Sequence, residues 1–369
     1  MDKKNVVYII SYITKSQVFE WTIDLLDTSK FNYSFILLHR EETPFELFLK
    51  GKGFETSRIN YNGKKDVLRA VATVYKTLKK RKADIVHAHM FDASFVGLLA
   101  ARLKDVKTRI YTRHYSTLHH EYHPHAVMYD RIINSLSTHI IAVSGTVKKV
   151  LVEMENVKQQ KISIVHHGFK LSEFENISPE RIKGLRDKYK IPAGVPVIGI
   201  VSRYIHWKGI QNTIEAFRMF LEQYPDACLV LANAKGPYKK EIQEHLSKLP
   251  SKNYIEIPFE TDILGLFKLF NVFVHVPVDP YSEAFGQVYI ESMLSKVPGI
   301  VTLSGIANEI IKDHENALVV EYNDNKDIYE RLLELYKSSE LQKKLTVNAY
   351  DMAVKMFPVE VMTEVEKLY

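Results

Sequence analysis

A chain of 369 residues exceeds what one hydrophobic core usually organises, so two domains are expected. With 46% hydrophobic and 25% charged residues, the composition is that of a globular protein and excludes a disordered or fibrous chain. One cysteine, Cys228, excludes an internal disulfide and fits a reducing, cytoplasmic setting, and apolar runs such as Phe95 to Ala101 fall far short of the roughly 20 residues that span a bilayer. The opening M-D-K-K-N-V-V-Y-I-I leads straight into a strand pattern, with no signal-peptide architecture. The net charge of +6 is unevenly spread: residues 1–175 carry 27 Lys and Arg against 18 Asp and Glu, the remainder 23 against 26. A basic first half points to a polyanionic surface or substrate beside it.

In chain order, strands are predicted at Val6 to Ile10, Tyr33 to Leu38, Asp84 to Ala88, Thr108 to Thr112, Ile140 to Val143 and Ile162 to Val165. Helices fall between them, at Val18 to Leu26, Lys64 to Lys80, Ala93 to Arg102, Tyr129 to Ser137 and Thr146 to Glu153. In the Lys64 to Lys80 helix, Val67, Leu68, Val71, Val74, Tyr75 and Leu78 share one face, and Lys65, Arg69, Lys76 and Lys80 the other. Residues 176–194 are polar, hold Pro192 and Gly194, and read as a helix and linker. The alternation then restarts, with strands at Val197 to Val201, Cys228 to Ala232, Tyr254 to Ile257, Val272 to Val276, Ile300 to Thr302 and Leu318 to Val320. A helix spans Gly209 to Leu221, others start near Glu309, Asp327 and Leu341, and Pro358 opens a last one. The fold class is α/β: two doubly wound, Rossmann-like domains, residues 1–175 and 195–357, facing each other across a cleft at the carboxyl ends of their strands.

The chemistry concentrates at Ser282 to Met293, S-E-A-F-G-Q-V-Y-I-E-S-M. Glu283 precedes a helix start and Glu291 lies about two turns into it. Between them Gly286 leaves the first helical N–H groups open to an anion. Two carboxylates beside an anion site suit a sugar nucleotide, whose diphosphate takes N–H groups and whose hydroxyls take carboxylates. The turn after Val201, S-R-Y-I-H-W-K-G, places Arg203 and Lys208 beside another helix start at Gly209, where a phosphate would sit. The plain alternatives are a capped helix with surface acids and a loop with two surface cations.

These blocks, in this order, resemble the retaining nucleotide-sugar glycosyltransferases of family 4, of GT-B fold. The family's E-x7-E signature reads Glu283-A-F-G-Q-V-Y-I-Glu291. D-I-V-H-A-H at 84–89, T-R-H at 112–114, I-I-A-V-S-G-T-V-K-K-V-L at 140–151, I-V-H-H-G-F at 164–169 and N-E-I-I at 308–311 match along nearly the whole chain. The resemblance implies that Glu283 holds the donor sugar's hydroxyls and Glu291 the ribose. Backbone N–H groups from Phe285, Gly286, Gln287 and Val288, with Arg203 and Lys208, would neutralise the diphosphate leaving group, and His114 would reach the transferred sugar. It also implies that residues 358–369 pack back on the first domain, that no metal or other cofactor is required, and that a UDP- or GDP-sugar is the donor. A carbohydrate or lipid-linked acceptor of the cell envelope would be the partner.

Departures from the family lie in two loops. The usual glycines after the first strand are missing from S-Y-I-T-K-S-Q, so Lys15, Ser16 and Gln17 would supply acceptor contacts. The glycine-rich turn after Cys228 to Ala232 is reduced to N-A-K-G-P, leaving Gly236 for the donor. The cluster His119, His120, His123 and His125 lacks H-E-x-x-H order and is interrupted by Pro124, so it reads as an acceptor-side loop with His119 and His120 foremost, not as a metal site. His87 and His89 read as structural or cleft-lining. The basic stripe of residues 64–82 reads either as a solvated face or as a patch for peripheral docking on anionic lipid. No motif supports nucleic-acid binding. Two rival functions remain: a sugar-nucleotide epimerase or hydrolase of the same fold, and a non-catalytic sugar-nucleotide binder.

Overall fold

The computed structural model describes residues 3–369. The chain forms two compact units, one running to Phe169 and including Val359 to Tyr369, the other Lys170–Pro358. The first holds β1 (Lys4–Ser11), β2 (Phe31–Leu38), β3 (Glu55–Ile59), β4 (Ile85–His89), β5 (Thr108–Arg113), β6 (His139–Ala142) and β7 (Ile162–Ile164). All pair in parallel, in the order β3-β2-β1-β4-β5-β6-β7. The second holds β8 (Val197–Val201), β9 (Cys228–Ala232), β10 (Tyr254–Ile257), β11 (Val272–His275), β12 (Gly299–Val301) and β13 (Leu318–Val319), also parallel, in the order β10-β9-β8-β11-β12-β13. The order reverses between β1 and β4 and between β8 and β11, and beside such reversals an open parallel sheet leaves a crevice at its carboxyl edge.

Alternate residues of a strand face opposite sides, so a sheet covered on both faces must be apolar throughout. In the second unit Ile198, Ile200, Leu229, Leu231, Val272 and Val274 pack with Phe217 and Phe220 on one side. Val197, Val201, Cys228, Val230, Ala232 and Phe273 pack with Phe267 and Phe270 on the other. In the first unit Val6, Tyr8, Ile10, Phe35 and Leu37 form a core with Phe19, Phe45 and Leu49.

Several details differ from the sequence reading. Residues 176–194 are not a free linker: the helix Pro179–Tyr189 buries Leu185, and Leu185 and Ile191 join the second unit's core beside Phe267. Its Arg181 makes a bidentate pair with Asp262. The division between units falls at Phe169, not at 175. In the helix Val67–Lys80, Ala70, Val71, Val74 and Leu78 are buried, but Leu68 is 85% exposed. At 100° per residue Leu68 lies about a quarter turn from the centre of that stripe. The helix expected at Thr146 to Glu153 changes pitch after Gly145–Lys149 into a π turn over Val150–Met154, closed by the Glu155 N–H on the Val150 carbonyl at 3.2 Å. The last segment, Val359–Leu368, is a 3₁₀ helix. Beyond it, Tyr369 bonds through its hydroxyl to Tyr8 at 2.6 Å and to His87 Nδ1 at 2.7 Å, inside the first unit.

Candidate active site

The second unit assembles its polar site where β8, β11 and β12 end. The stretch after β11 turns through Pro277 and Pro280 and reaches Glu283, which is 7% exposed. Its backbone N–H donates to Ser304 Oγ at 3.0 Å, fixing the loop to the end of β12. Glu283 Oε1 accepts from His275 Nε2 at 2.9 Å and from the Lys208 ammonium. Burial would raise the carboxyl pKa, but the Lys208 charge and the His275 hydrogen bond more than offset it and hold it at about 2. Burial keeps His275 below its ordinary value, so it is a neutral donor, with Nδ1 buried and without a hydrogen-bond partner among the described residues.

Lys208 arrives from a 3₁₀ turn, His206–Lys208, that leads into the helix Ile210–Phe220 through Gly209. Gly209 has φ +69°, and a Cβ there would lie 1.8 Å from the Val276 carbonyl oxygen, so only glycine allows this approach of the turn to the end of β11. Arg203, earlier in the same loop, is exposed, and its guanidinium makes no hydrogen bond or ion pair among the described residues.

The helix expected at Phe285 starts two residues later. Gly286 caps the helix Gln287–Leu294 with φ +86° and ψ +65°, and a Cβ would meet the Tyr289 ring at 2.6 Å. The N–H groups of Gln287 and Val288 belong to the first turn, which has no intrahelical acceptors for them. The Phe285 ring is buried against Phe357. Glu291 is partly buried, its carboxylate makes no hydrogen bond among the described residues, and burial pushes its pKa up to about 7. Gly236, at φ +153°, would bring a Cβ to 2.2 Å from the Tyr204 carbonyl, so the residual glycine of the shortened loop seats that loop against the Arg203 turn.

In the first unit, His114 follows β5 and bonds His89 Nδ1 through Nε2 at 3.1 Å, and its ring stacks on His167. Burial, reinforced by the neighbouring imidazoles, lowers its pKa well below the ordinary value, so it is neutral. His87 bonds Thr112 Oγ1 at 2.8 Å as well as Tyr369, which makes it a structural tie. Ser16 caps the helix Gln17–Asp24, accepting from Phe19 N–H at 3.5 Å, Gln17 is that helix's first residue, and Lys15 is exposed.

His119 and His120, expected in a loop, are helical, within Leu118–Tyr122. His119 Nδ1 is 2.8 Å from Asp130 Oδ2, and His120 Nε2 is 3.2 Å from Glu155 Oε1. Both carboxylates converge on Arg113, which is fully buried: its guanidinium reaches Glu155 at 2.7 Å and Asp130 at 3.2 Å and lies 3.7 Å from the centre of the Tyr115 ring. Asn134 donates to Glu155 Oε2 at 2.7 Å.

Sequence comparison matches the family described as "Glycosyl transferases group 1" over residues 182–352 and "Glycosyltransferase Family 4" over residues 36–173. The chain belongs to the family 4 type of glycosyltransferases. It is 26% identical over 309 residues to the capsular polysaccharide biosynthesis glycosyltransferase CapM of Staphylococcus aureus, covering 82% of this chain and 80% of CapM. It is 24% identical over 268 residues to an Escherichia coli UDP-Gal:alpha-D-GlcNAc-diphosphoundecaprenol alpha-1,3-galactosyltransferase, covering 70% and 67%. The fold matches Anabaena HepE in complex with UDP-glucose, with a TM-score of 0.83, 19% identity and 99% of both chains covered. A Rickettsia africae glycosyltransferase matches with a TM-score of 0.82, 21% identity and 100% and 98% coverage. The two doubly wound units are those of the GT-B fold.

In this glycosyltransferase the sequence reading missed three contributors to the Glu283 site. His275 was visible as a polar residue ending a buried strand. Ser304 carries no local signal. Gly305 lies so close that a Cβ would be 2.7 Å from the Phe285 carbonyl and from Glu283 Cβ.

The isolated Glu291 carboxyl has a measurable consequence for the unliganded glycosyltransferase. Its folded-state pKa of about 7 exceeds the unfolded value of 4.5. Between those values the folded state keeps a proton that the unfolded chain has lost, so this group destabilises the fold increasingly as pH rises from 4.5 to 7. Glu291→Gln is therefore expected to stabilise the second unit by about 2 kcal/mol at pH 8 and by much less at pH 5. Urea unfolding at the two pH values measures the difference.

Proposed function

We propose that the chain is a retaining, metal-independent hexosyltransferase that takes its sugar from a UDP- or GDP-sugar and passes it to a hydroxyl of a carbohydrate or lipid-linked acceptor. The observation that carries this reading is the juxtaposition of Glu283, held ionised by Lys208 and His275, with the open first turn of Gln287–Leu294. The diphosphate would take the N–H groups of Gln287 and Val288 with the cations Arg203 and Lys208. Glu291 would accept from the ribose hydroxyls. As the leaving group departs, charge grows on the diphosphate, and fixed cations and N–H groups stabilise it more in the transition state than in the ground state. Cationic side chains and a helix terminus supply the charge that a metal would otherwise supply. Glu283, close to the reacting centre, would stabilise the positive charge that develops on the sugar.

CapM's role in capsular polysaccharide and the diphosphoundecaprenol acceptor in the E. coli relative's name support a place in cell-envelope polysaccharide or glycolipid assembly. The excess of basic residues before Glu175 supports a cytoplasmic enzyme held peripherally on anionic lipid. Among the described residues, no helix is long and apolar enough to cross a membrane.

The test is nucleoside-diphosphate release from UDP- and GDP-hexoses with and without GlcNAc-diphosphoundecaprenol, in EDTA. Acceptor-dependent release that survives EDTA, with the donor's anomeric configuration kept in the product, is the expected result. Release without acceptor would favour the hydrolase or epimerase reading. Binding without turnover of any donor would favour the binding protein.

A further inference from the structure

The two carboxylate oxygens of Glu283 are used unequally. Oε1 accepts both from His275 Nε2, at 2.9 Å, and from the Lys208 ammonium. Oε2 makes no hydrogen bond among the described residues. Two strong donors occupy the lone pairs of Oε1, so the accepting capacity that remains to the carboxylate lies on Oε2. The two donors differ in what they fix. Lys208 ends a flexible stem in a rotating ammonium, which sets no direction. The terminal torsion of a glutamate is broad, so a carboxylate held only by such a point charge turns and exchanges its oxygens.

His275 does set one. It is the last residue of β11 and is buried. Its ring lies nearly parallel to that of Phe273, two residues back on the same face, with centres 6.0 Å apart and an angle of 14°. Tyr289, in the first turn of the helix Gln287–Leu294, meets the imidazole edge-on at 4.9 Å and 76°. Tyr289 is itself pinned: it is buried, and its hydroxyl donates to the Thr302 carbonyl at 3.1 Å. The Thr302 N–H in turn donates to the His275 carbonyl at 3.3 Å. The same phenol ring fills the space that forbids a Cβ at Gly286. One side chain therefore shapes the open first turn of the helix and braces the imidazole that holds Glu283. The charge state of His275 matters as well. Nδ1 is buried without a hydrogen-bond partner among the described residues, so nothing there supports a second proton. A second cation on Oε1 would cancel the carboxylate's charge. A neutral N–H orients that charge and leaves it to act at Oε2.

Resting on the transferase reading, we infer that His275 is a positioning residue for sugar transfer. It locks the Glu283 carboxylate through Oε1 and reserves Oε2 for the donor sugar.

Two variants separate the hydrogen bond from the packing. His275→Phe keeps a ring against Phe273 and Tyr289 and loses the N–H. His275→Gln loses the ring and keeps an amide N–H near the position of Nε2. The full chain is assayed for nucleoside-diphosphate release from UDP- and GDP-hexoses with GlcNAc-diphosphoundecaprenol as acceptor. Calorimetry measures UDP and GDP binding, and thermal unfolding verifies that each variant is folded. His275→Phe should lower kcat about 10²-fold, the scale of a reacting group displaced by about 1 Å, while the donor KM and nucleotide binding stay within a few fold. His275→Gln should recover roughly tenfold of that loss. In a Glu283→Gln background, His275→Phe should cost no more than about twofold further, because it acts through that carboxylate. A His275→Phe variant with wild-type kcat overturns the inference. So does a His275→Gln variant slower than His275→Phe, which would assign the ring to packing, and so does an undiminished loss in the Glu283→Gln background. Wild-type protein that binds no nucleotide, or turns over no donor, contradicts the transferase reading itself. Normal wild-type turnover with an indifferent His275→Phe contradicts the positioning role alone.

Discussion

Glu283→Gln is expected to lower kcat/KM about 10³-fold while nucleotide affinity stays within a few fold. The substitution keeps the shape and the hydrogen-bonding capacity of the side chain but removes the negative charge held at a pKa of about 2. That charge stabilises the developing positive sugar, so its loss falls on the transition state and on kcat, not on binding. Lys208→Met should be as damaging to turnover and also harm the fold. It strands Glu283, 7% exposed, with only the neutral His275 as partner. Breaking one side of such a buried pair costs about 3 kcal/mol, roughly 6–12 °C in the Tm of the second unit. The double variant Lys208→Met/Glu283→Gln should recover most of that stability and none of the activity. Steady-state kinetics and calorimetry on the three variants decide it: additive losses of stability would show that the two side chains act separately.

Arg113→Met carries the largest expected effect on folding. Its guanidinium is fully buried, and among the described residues no other arginine and no lysine bonds to Asp130 or Glu155. Removing it leaves two carboxylates in a low-dielectric interior, at a cost of about 3–5 kcal/mol. That is a large part of the roughly 5–15 kcal/mol that keeps a domain folded. Urea unfolding of the full chain should show the first unit's transition move to much lower denaturant. The triple variant Arg113→Met/Asp130→Asn/Glu155→Gln should unfold closer to wild type, because no uncompensated charge remains. A wild-type transition in the single variant would mean that the network contributes nothing to the fold.

The strands were legible where both sheet faces are covered, because burial on two sides forces continuous apolar runs such as V-V-Y-I-I and C-L-V-L-A. β3, E-T-S-R-I, was not predicted: it is an edge strand with only Ile59 buried. The helix Pro44–Gly51 was also missed, although Thr43 as cap, Pro44 at the first position and Glu46 in the first turn form a local start signal. In the site, Glu283, Gly286 and Glu291 were readable because one turn and one helix place them. Lys208 was readable because it sits at another helix start. Ser304 was not, because its contact exists only once β12 lies beside β11. For His119 and His120 the expected loop is a short helix, and their partners were hidden for the same reason: Asp130 and Glu155 lie 11 and 35 residues further on and are positioned by a helix and by a π turn. Leu68 shows the limit of periodicity itself, since a residue at the edge of an apolar stripe can face the core or an open groove.

The most direct test of the donor site is calorimetric titration of UDP, GDP, ADP and dTDP sugars in EDTA, at pH 6 and pH 8. Ribose hydroxyls donate to the ionised form of Glu291, whose carboxyl sits at about 7 in the free protein. Binding should therefore release a proton near pH 7 and weaken about tenfold for each unit that the pH falls below 7. One nucleotide binding without metal, more tightly at pH 8 than at pH 6 and pH-independent in Glu291→Gln, is the predicted result. Binding by none of the four to folded protein, or binding that requires a divalent metal, would contradict the account.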